Sequence, residues 1–458
     1  MISESVIELT HWQFALSSLS NFLFLPLVLG LSLMVAIMET IYLLTGRIVY
    51  KEMTRFWGEL LAVSFVLSLI TSLMTALQLG KNESYLAYYI GDILGSAFII
   101  ERVILLFLEA TFIGLFILGW DRLTKGQHLL ITWLVTLSSL ISVSWLLLES
   151  SWMQTPIAST FNHETMRMEF SQFSELIGNI PLSGPLFQTL VIAYLLTATF
   201  VLAISAYYLL NKQKVEFAHS SFKFAASLGL VALLLVITFG YGKNVENKPY
   251  TTEQLTQLLE TNRQRIHNGI KAHQLLDQLR DTDSDPKILV EFNRYKKDLG
   301  YGLLLKRSLD DILKATEKQV ELAAQFAVPT NVYPSKVFKL MLISQFISLI
   351  IFICAMIFSV IIKSYQPWLL KLSLYSLPLS WLTYAVALVI SEITHQPWAV
   401  NGILPIFLSP SSLVESDLWF SLIGYFLTYT SLLIGAGFLF LNLIKHRPNY
   451  EPSPKVDD

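Results

Sequence analysis

Charge is scarce in this 458-residue chain. Asp, Glu, Lys and Arg together make up 14 %, against 53 % hydrophobic residues. That balance excludes an ordinary soluble domain and points to an integral membrane protein. Net charge is −2, so no basic surface is available to attract nucleic acid. The single cysteine, Cys354, sits in an apolar run and has no internal disulfide partner. The opening MISESVIELT has no basic residues ahead of its apolar stretch, so no cleaved signal peptide is expected. Phosphate-binding glycine loops, zinc-type His/Cys spacings and nucleophile elbows are all missing.

What is present is hydrophobic length. Nine stretches are long enough to cross a bilayer as helices. They are Phe14–Leu44, Trp57–Leu79, Leu94–Gly119, His128–Leu148, Leu186–Leu210, Phe222–Tyr241, Val337–Ile362, Leu372–Ser391 and Leu418–Leu443. The expected fold is all-α: an integral membrane bundle of nine transmembrane helices. Three segments are expected: residues 1–241 with helices one to six, an external loop at 242–336, and 337–458 with helices seven to nine and a tail.

Basic residues in short loops set the orientation. Arg47, Lys51 and Arg55 follow the first span, Arg122 and Lys125 the third, and Lys212 and Lys214 the fifth. Lys363 and Lys371 follow the seventh, and Lys445, Arg447 and Lys455 the ninth. The alternate loops carry only Lys81, Arg167 and none. This places the N-terminus outside, the C-terminus inside and the long polar loop outside. Within that loop, Thr251 with Gln254 forms a capping box that opens a helix to about Leu279. Ser308 with Asp311 is expected to open a second one, ending before Pro329.

The third span carries Glu101, Arg102 and Glu109. An ionisable group at that depth costs at least ~2.5–3.5 kcal/mol, so such residues mark functional sites by default. Eight helical steps leave the two glutamates roughly 80° apart, on one broad face. One reading is a proton or cofactor site; the other is a buried ion pair that orients its neighbours. Glu39 lies near the inner end of the first span. Asn21, Glu101, Gln188, Met341 and Glu392 all fall in the outer half. Taken singly, Met341 reads as packing and Gln188 as an interhelical hydrogen bond. All eight histidines, His11, His128, His163, His219, His267, His273, His395 and His446, fall at helix ends, in loops or in the tail. Residues alone therefore predict no low-spin haem, which normally takes a histidine.

Several stretches resemble one family in order along the chain. They are WQFAL at 12–16, AIMET at 36–40, YIGDILG at 89–95, GWDRL at 119–123 and WMQTPIAS at 152–159. ETMRME at 164–169, FSEL at 173–176, KKDLGYGLLLKR at 296–307 and QPW at 396–398 continue the series. The pattern, from about Leu9 to Leu443, resembles subunit I of the cytochrome bd-type quinol oxidases.

The resemblance implies a subunit with three haems: low-spin b, high-spin b and d-type. It implies quinol oxidation under the external loop, oxygen reduction to water, and protons drawn from the inner side along polar residues. Partner chains would be a subunit II-type or a second subunit I-type membrane protein. By position, Glu101 matches the acid beside the d-type haem and Glu109 the proton-path acid. Glu392 matches the high-spin haem ligand and Met341 the methionine ligand of the low-spin haem.

The departures matter as much. Asn21 and Gln188 stand where the family has haem-binding histidines. His395 takes the place of a propionate-pairing arginine, and Lys339 replaces an arginine near Met341, losing bidentate geometry. The front of the external loop, which supplies quinol contacts in the family, is short. The expected function is a subunit I homologue of a bd-type quinol:O2 oxidoreductase with an altered or reduced haem set. The alternative is a haem-poor or haem-free paralogue that serves as an assembly partner or a proton pathway.

Overall fold

The computed structural model describes residues 3–170, 183–240, 250–281, 285–328, 335–362, 365–394, 396–411 and 414–446. Eight described helices are long and apolar enough to cross a membrane. In chain order the first half comprises α1 (Glu4–Asn21), α2 (Leu25–Thr45), α3 (Ile48–Asn82), α4 (Ser84–Tyr89), α5 (Gly91–Leu118) and α6 (Lys125–Gln154). A small hairpin, β1 (Ser159–Asn162) with β2 (Arg167–Phe170), follows. Then come α7 (Ser183–Leu210) and α8 (Val215–Leu235). The third of the nine expected spans lies on α5. It is a 28-residue helix that carries Glu101, Arg102 and Glu109 among apolar residues.

The first expected span is two helices rather than one. Pro26 lies in the first turn of α2, where its missing N–H costs nothing. The same ring would clash with a carbonyl one turn earlier if the helix continued, so α1 ends at Asn21. Hydropathy alone runs straight through this break.

At the centre stand α2 and α7. Leu31, Met34, Val35, Ala36 and Met38 of α2 are fully buried, as are Val201, Leu202, Ala203 and Ala206 of α7. A helix apolar on every side belongs at the middle of a bundle. Thr197 of α7 donates to the Pro26 carbonyl at 2.8 Å, tying the two together. The outer helices turn residues such as Phe107, Leu137, Phe420 and Phe438 outward, as lipid contact requires.

The polar region after α8 is a helical cap. It contains α9 (Thr252–Asp281), α10 (Pro286–Tyr295), α11 (Leu299–Leu303) and α12 (Glu317–Phe326). The expected capping box at Thr251 is formed: its N–H donates to Gln254 Oε1 at 3.0 Å, and the Gln254 N–H returns to Thr251 Oγ1 at 3.3 Å. The second expected helix does not begin at Ser308. Asp311 caps only a single tight turn, Ile312–Lys314, and the helix opens at Thr316 with its own box to Gln319. The helix α10, capped by Asp285, had no counterpart in the sequence reading.

The chain returns through α13 (Ser335–Met356) and α14 (Pro367–Thr394), then the short strands β3 (Trp398–Val400) and β4 (Leu404–Pro405), and ends in α15 (Glu415–His446). The cap is fastened to this region. Gly300 of α11 lies against the backbone carbonyls of Gly402 and Ile403 so closely that no Cβ would fit. Beside it, the Tyr301 and Trp398 rings are 5.0 Å apart, and Arg265 donates to the Tyr301 hydroxyl at 2.8 Å.

Candidate functional site

The interior polar groups gather along one face of α6. His128, Thr132, Thr136 and Ser139 follow at steps of four, four and three, which stacks them on one stripe. Opposite the far end of that stripe, Glu109 of α5 is buried and accepts a hydrogen bond from Ser139 Oγ at 2.5 Å. The two also line a cavity of about 90 Å³, with Ser68 and Ser72 of α3 and Ser142 of α6. Most of its wall is apolar, but the four serines and Glu109 give a few water molecules polar partners.

Three turns toward the basic end of the bundle lies a second network. Glu39 of α2 and His128 of α6 are each about 3 % exposed. Glu39 Oε1 is 2.6 Å from His128 Nδ1, and Glu39 Oε2 accepts from Thr132 at 2.5 Å. His128 Nε2 is 3.0 Å from the Phe116 carbonyl in the last turn of α5. Carbonyls there have no helical partner, so the imidazole satisfies one of them. Trp120 covers the ring at 4.0 Å, and Arg55 lies 4.8 Å over the same indole while pairing with Asp121 at 3.9 Å. AIMET and GWDRL, more than eighty residues apart, therefore meet around one histidine. Its position at a helix end concealed its burial from the sequence.

The outer positions are placed more sparsely. Asn21 is the last residue of α1, Glu101 and Arg102 lie on α5, and Glu392 lies near the end of α14. The side chains of these four fall outside the described part of the structure. His395 and the FSEL stretch lie outside the described residues altogether. Gln188 is exposed on the second turn of α7, Met341 is half-buried near the start of α13, and Lys339 is exposed two residues before it. Among the described residues, no cluster of three or more His, Cys, Asp or Glu could hold a metal ion.

At the cap end, ETMRME closes on itself. Glu169 accepts from Thr165 at 2.7 Å and Asn162 at 2.9 Å, which holds its carboxyl below the usual range. On α1, burial chiefly, and then the Arg307 charge, push the His11 imidazole down to about 4.

Comparison with known proteins gives the family. A family model for "Cytochrome bd terminal oxidase subunit I" matches residues 9–448. The Escherichia coli K12 protein "Cytochrome bd-II ubiquinol oxidase subunit 1" is 34 % identical, covering 95 % of both chains. The Bacillus subtilis 168 protein "Cytochrome bd ubiquinol oxidase subunit 1" is 30 % identical over 96 % of this chain and 94 % of its own. Among solved structures, the bd oxidase from Geobacillus thermodenitrificans aligns with a TM-score of 0.71 at 14 % identity, covering 98 % of this chain and 100 % of that one. That structure shares the fold. With its multi-helix membrane architecture and its full-length match, this chain belongs to the cytochrome bd terminal oxidase subunit I family.

Proposed function

We propose that the chain is subunit I of a bd-type quinol:O2 oxidoreductase in a bacterial respiratory membrane, carrying a reduced or altered haem set. The observation that carries this is the family match along residues 9–448, which leaves no long segment of the chain for another purpose. In this reading Glu109 is the proton-path acid, and the Ser139 hydroxyl orients the carboxyl that passes the proton on. The N-terminus and the cap face outward, and a subunit II-type or second subunit I-type chain completes the complex.

Donor chemistry decides which haems fit. At the low-spin position stand the Met341 thioether, a recognised axial donor, and the exposed Gln188 amide, a poor iron ligand beside imidazole. That pair does not fit a six-coordinate haem. Glu101 and Glu392 retain the acids of the high-spin side and are the residues that would hold a haem there, with Asn21 in place of its histidine. A haem so bound supplies electrons to oxygen. His395 and Lys339 are the cations left to pair with propionates.

The second reading, a haem-poor partner or proton pathway in a bd-like complex, is favoured by Asn21 and Gln188 themselves. A reduced-minus-oxidised spectrum of the purified protein, with haem counted after extraction, separates the two. Sub-stoichiometric but definite haem supports the first. None supports the second, and a complete three-haem spectrum contradicts the altered set.

A further inference from the structure

We propose that Glu39 and His128 hold one shared, transferable proton and act as the loading point of the proton route to Glu109. This rests on the reading of Glu109 as a proton-path acid and adds two residues to it.

The argument begins with a hydrogen count. The Phe116 carbonyl can only accept, so His128 Nε2 must carry a hydrogen. Between Nδ1 and Glu39 Oε1, 2.6 Å apart, exactly opposed lone pairs would repel, so one hydrogen lies there. The pair is either imidazolium with carboxylate or imidazole with carboxylic acid. Both forms are neutral overall and differ only in which atom owns the proton. A net charge at this depth would be expensive, and a neutral pair avoids that cost. Two helix ends bear on the balance. The C-terminal carbonyls of α5 favour the imidazolium, and the N-terminal turn of α6, in which His128 itself sits, disfavours it. Their opposition keeps either form accessible.

The pair also has an entry and an exit. On the entry side, Trp120 contacts both His128 and Arg55, and Arg55 pairs with Asp121. The charged groups facing this end are Lys51 and Arg55 on α3, Asp121 between α5 and α6, and Lys125 on α6. On the exit side, the Thr132 hydroxyl bonds Glu39 Oε2 and can accept a proton from it while releasing its own. Thr136 lies one turn further, its hydroxyl on the Ser32 and Thr132 carbonyls at 3.1 and 3.2 Å. Ser139 and the cavity beside Glu109, which Ser68, Ser72 and Ser142 also line, come next. From His128 to Ser139 the helix rises about 16 Å, and a hydroxyl stands at each turn between.

A purely structural staple between α2 and α6 would show the same distances, so the test must read the proton. In the purified full-length protein, infrared spectroscopy in H2O and D2O identifies the Glu39 carbonyl band by its loss in Glu39→Gln. The expected result is exchange of the Glu39 band within minutes of transfer to D2O. A band that resists exchange for hours overturns the proposal. In the assembled complex, Glu39→Gln is expected to lower kcat roughly 100-fold, with KM for quinol unchanged and Glu39→Asp restoring most of the rate. Unchanged kcat with a lower Tm overturns it. Absence of turnover in the unaltered protein would count against the oxidase reading and leave the infrared result to decide this one.

Discussion

The ring of Phe116 on α5 fills the space that a side chain on Gly58 of α3 would need. That ring is 1 % exposed and is held from behind by His128 at 5.2 Å and Trp120 at 6.0 Å, so it has nowhere to swing. Gly58→Ala is therefore expected to cost about 1–3 kcal/mol through overpacking. Thermal unfolding in detergent checks this. Because the Phe116 carbonyl also holds His128, the variant should in addition disturb the Glu39 infrared band; an unaltered Tm would contradict the packing.

His11 gives stability a pH dependence of definite sign. Its ordinary value is 6.5, and the fold lowers it to about 4. Between those values the unfolded chain binds the extra proton and the folded one does not, so stability is complete above pH 6.5 and falls as pH drops toward 4. At about 1.4 kcal/mol per pH unit the loss approaches ~3 kcal/mol. The slope of Tm against pH over that window should flatten in His11→Phe. Equal slopes would show that the imidazole is not held neutral.

Thr251→Ala removes the hydroxyl that receives the Gln254 N–H. A lost N-cap costs about 0.5–2 kcal/mol, and the damage should be local. Hydrogen exchange should speed up in the first turn of α9 while α2 and α7 stay protected. Uniform loss of protection would mean that the cap and the membrane bundle unfold together.

Restoring imidazoles tests the altered haem set. Asn21→His combined with Gln188→His is expected to raise extractable haem per chain, with a new low-spin contribution in the reduced spectrum. Unchanged haem content would argue that no pocket survives at those positions.

Local signals in the sequence proved the most legible. Thr251 and Gln254 are three residues apart, and their bond needs nothing from elsewhere. The misplaced helix start at Ser308 failed for a related reason: Asp311 does cap a turn, but the better box, Thr316 with Gln319, lies just beyond. Pro26 broke the first span where average hydropathy saw only apolar residues. Family resemblance and membrane class were plain because they are spread over the whole chain. The Glu39–His128 contact spans 89 residues and joins two helix ends; nothing local in either stretch specifies it. The residues opposite Ser139 were half visible, since Glu109 stood out by depth, but its serine partner looks like any other on an apolar helix.

The backbone contact between Gly300 and Gly402 has a consequence for how such a chain can change over time. It rivets the rear of the cap to the strand pair after α14, with no side chain to yield. Any tug on α9 would pass through Arg265 and Tyr301 to Trp398 and the segment just past α14 first.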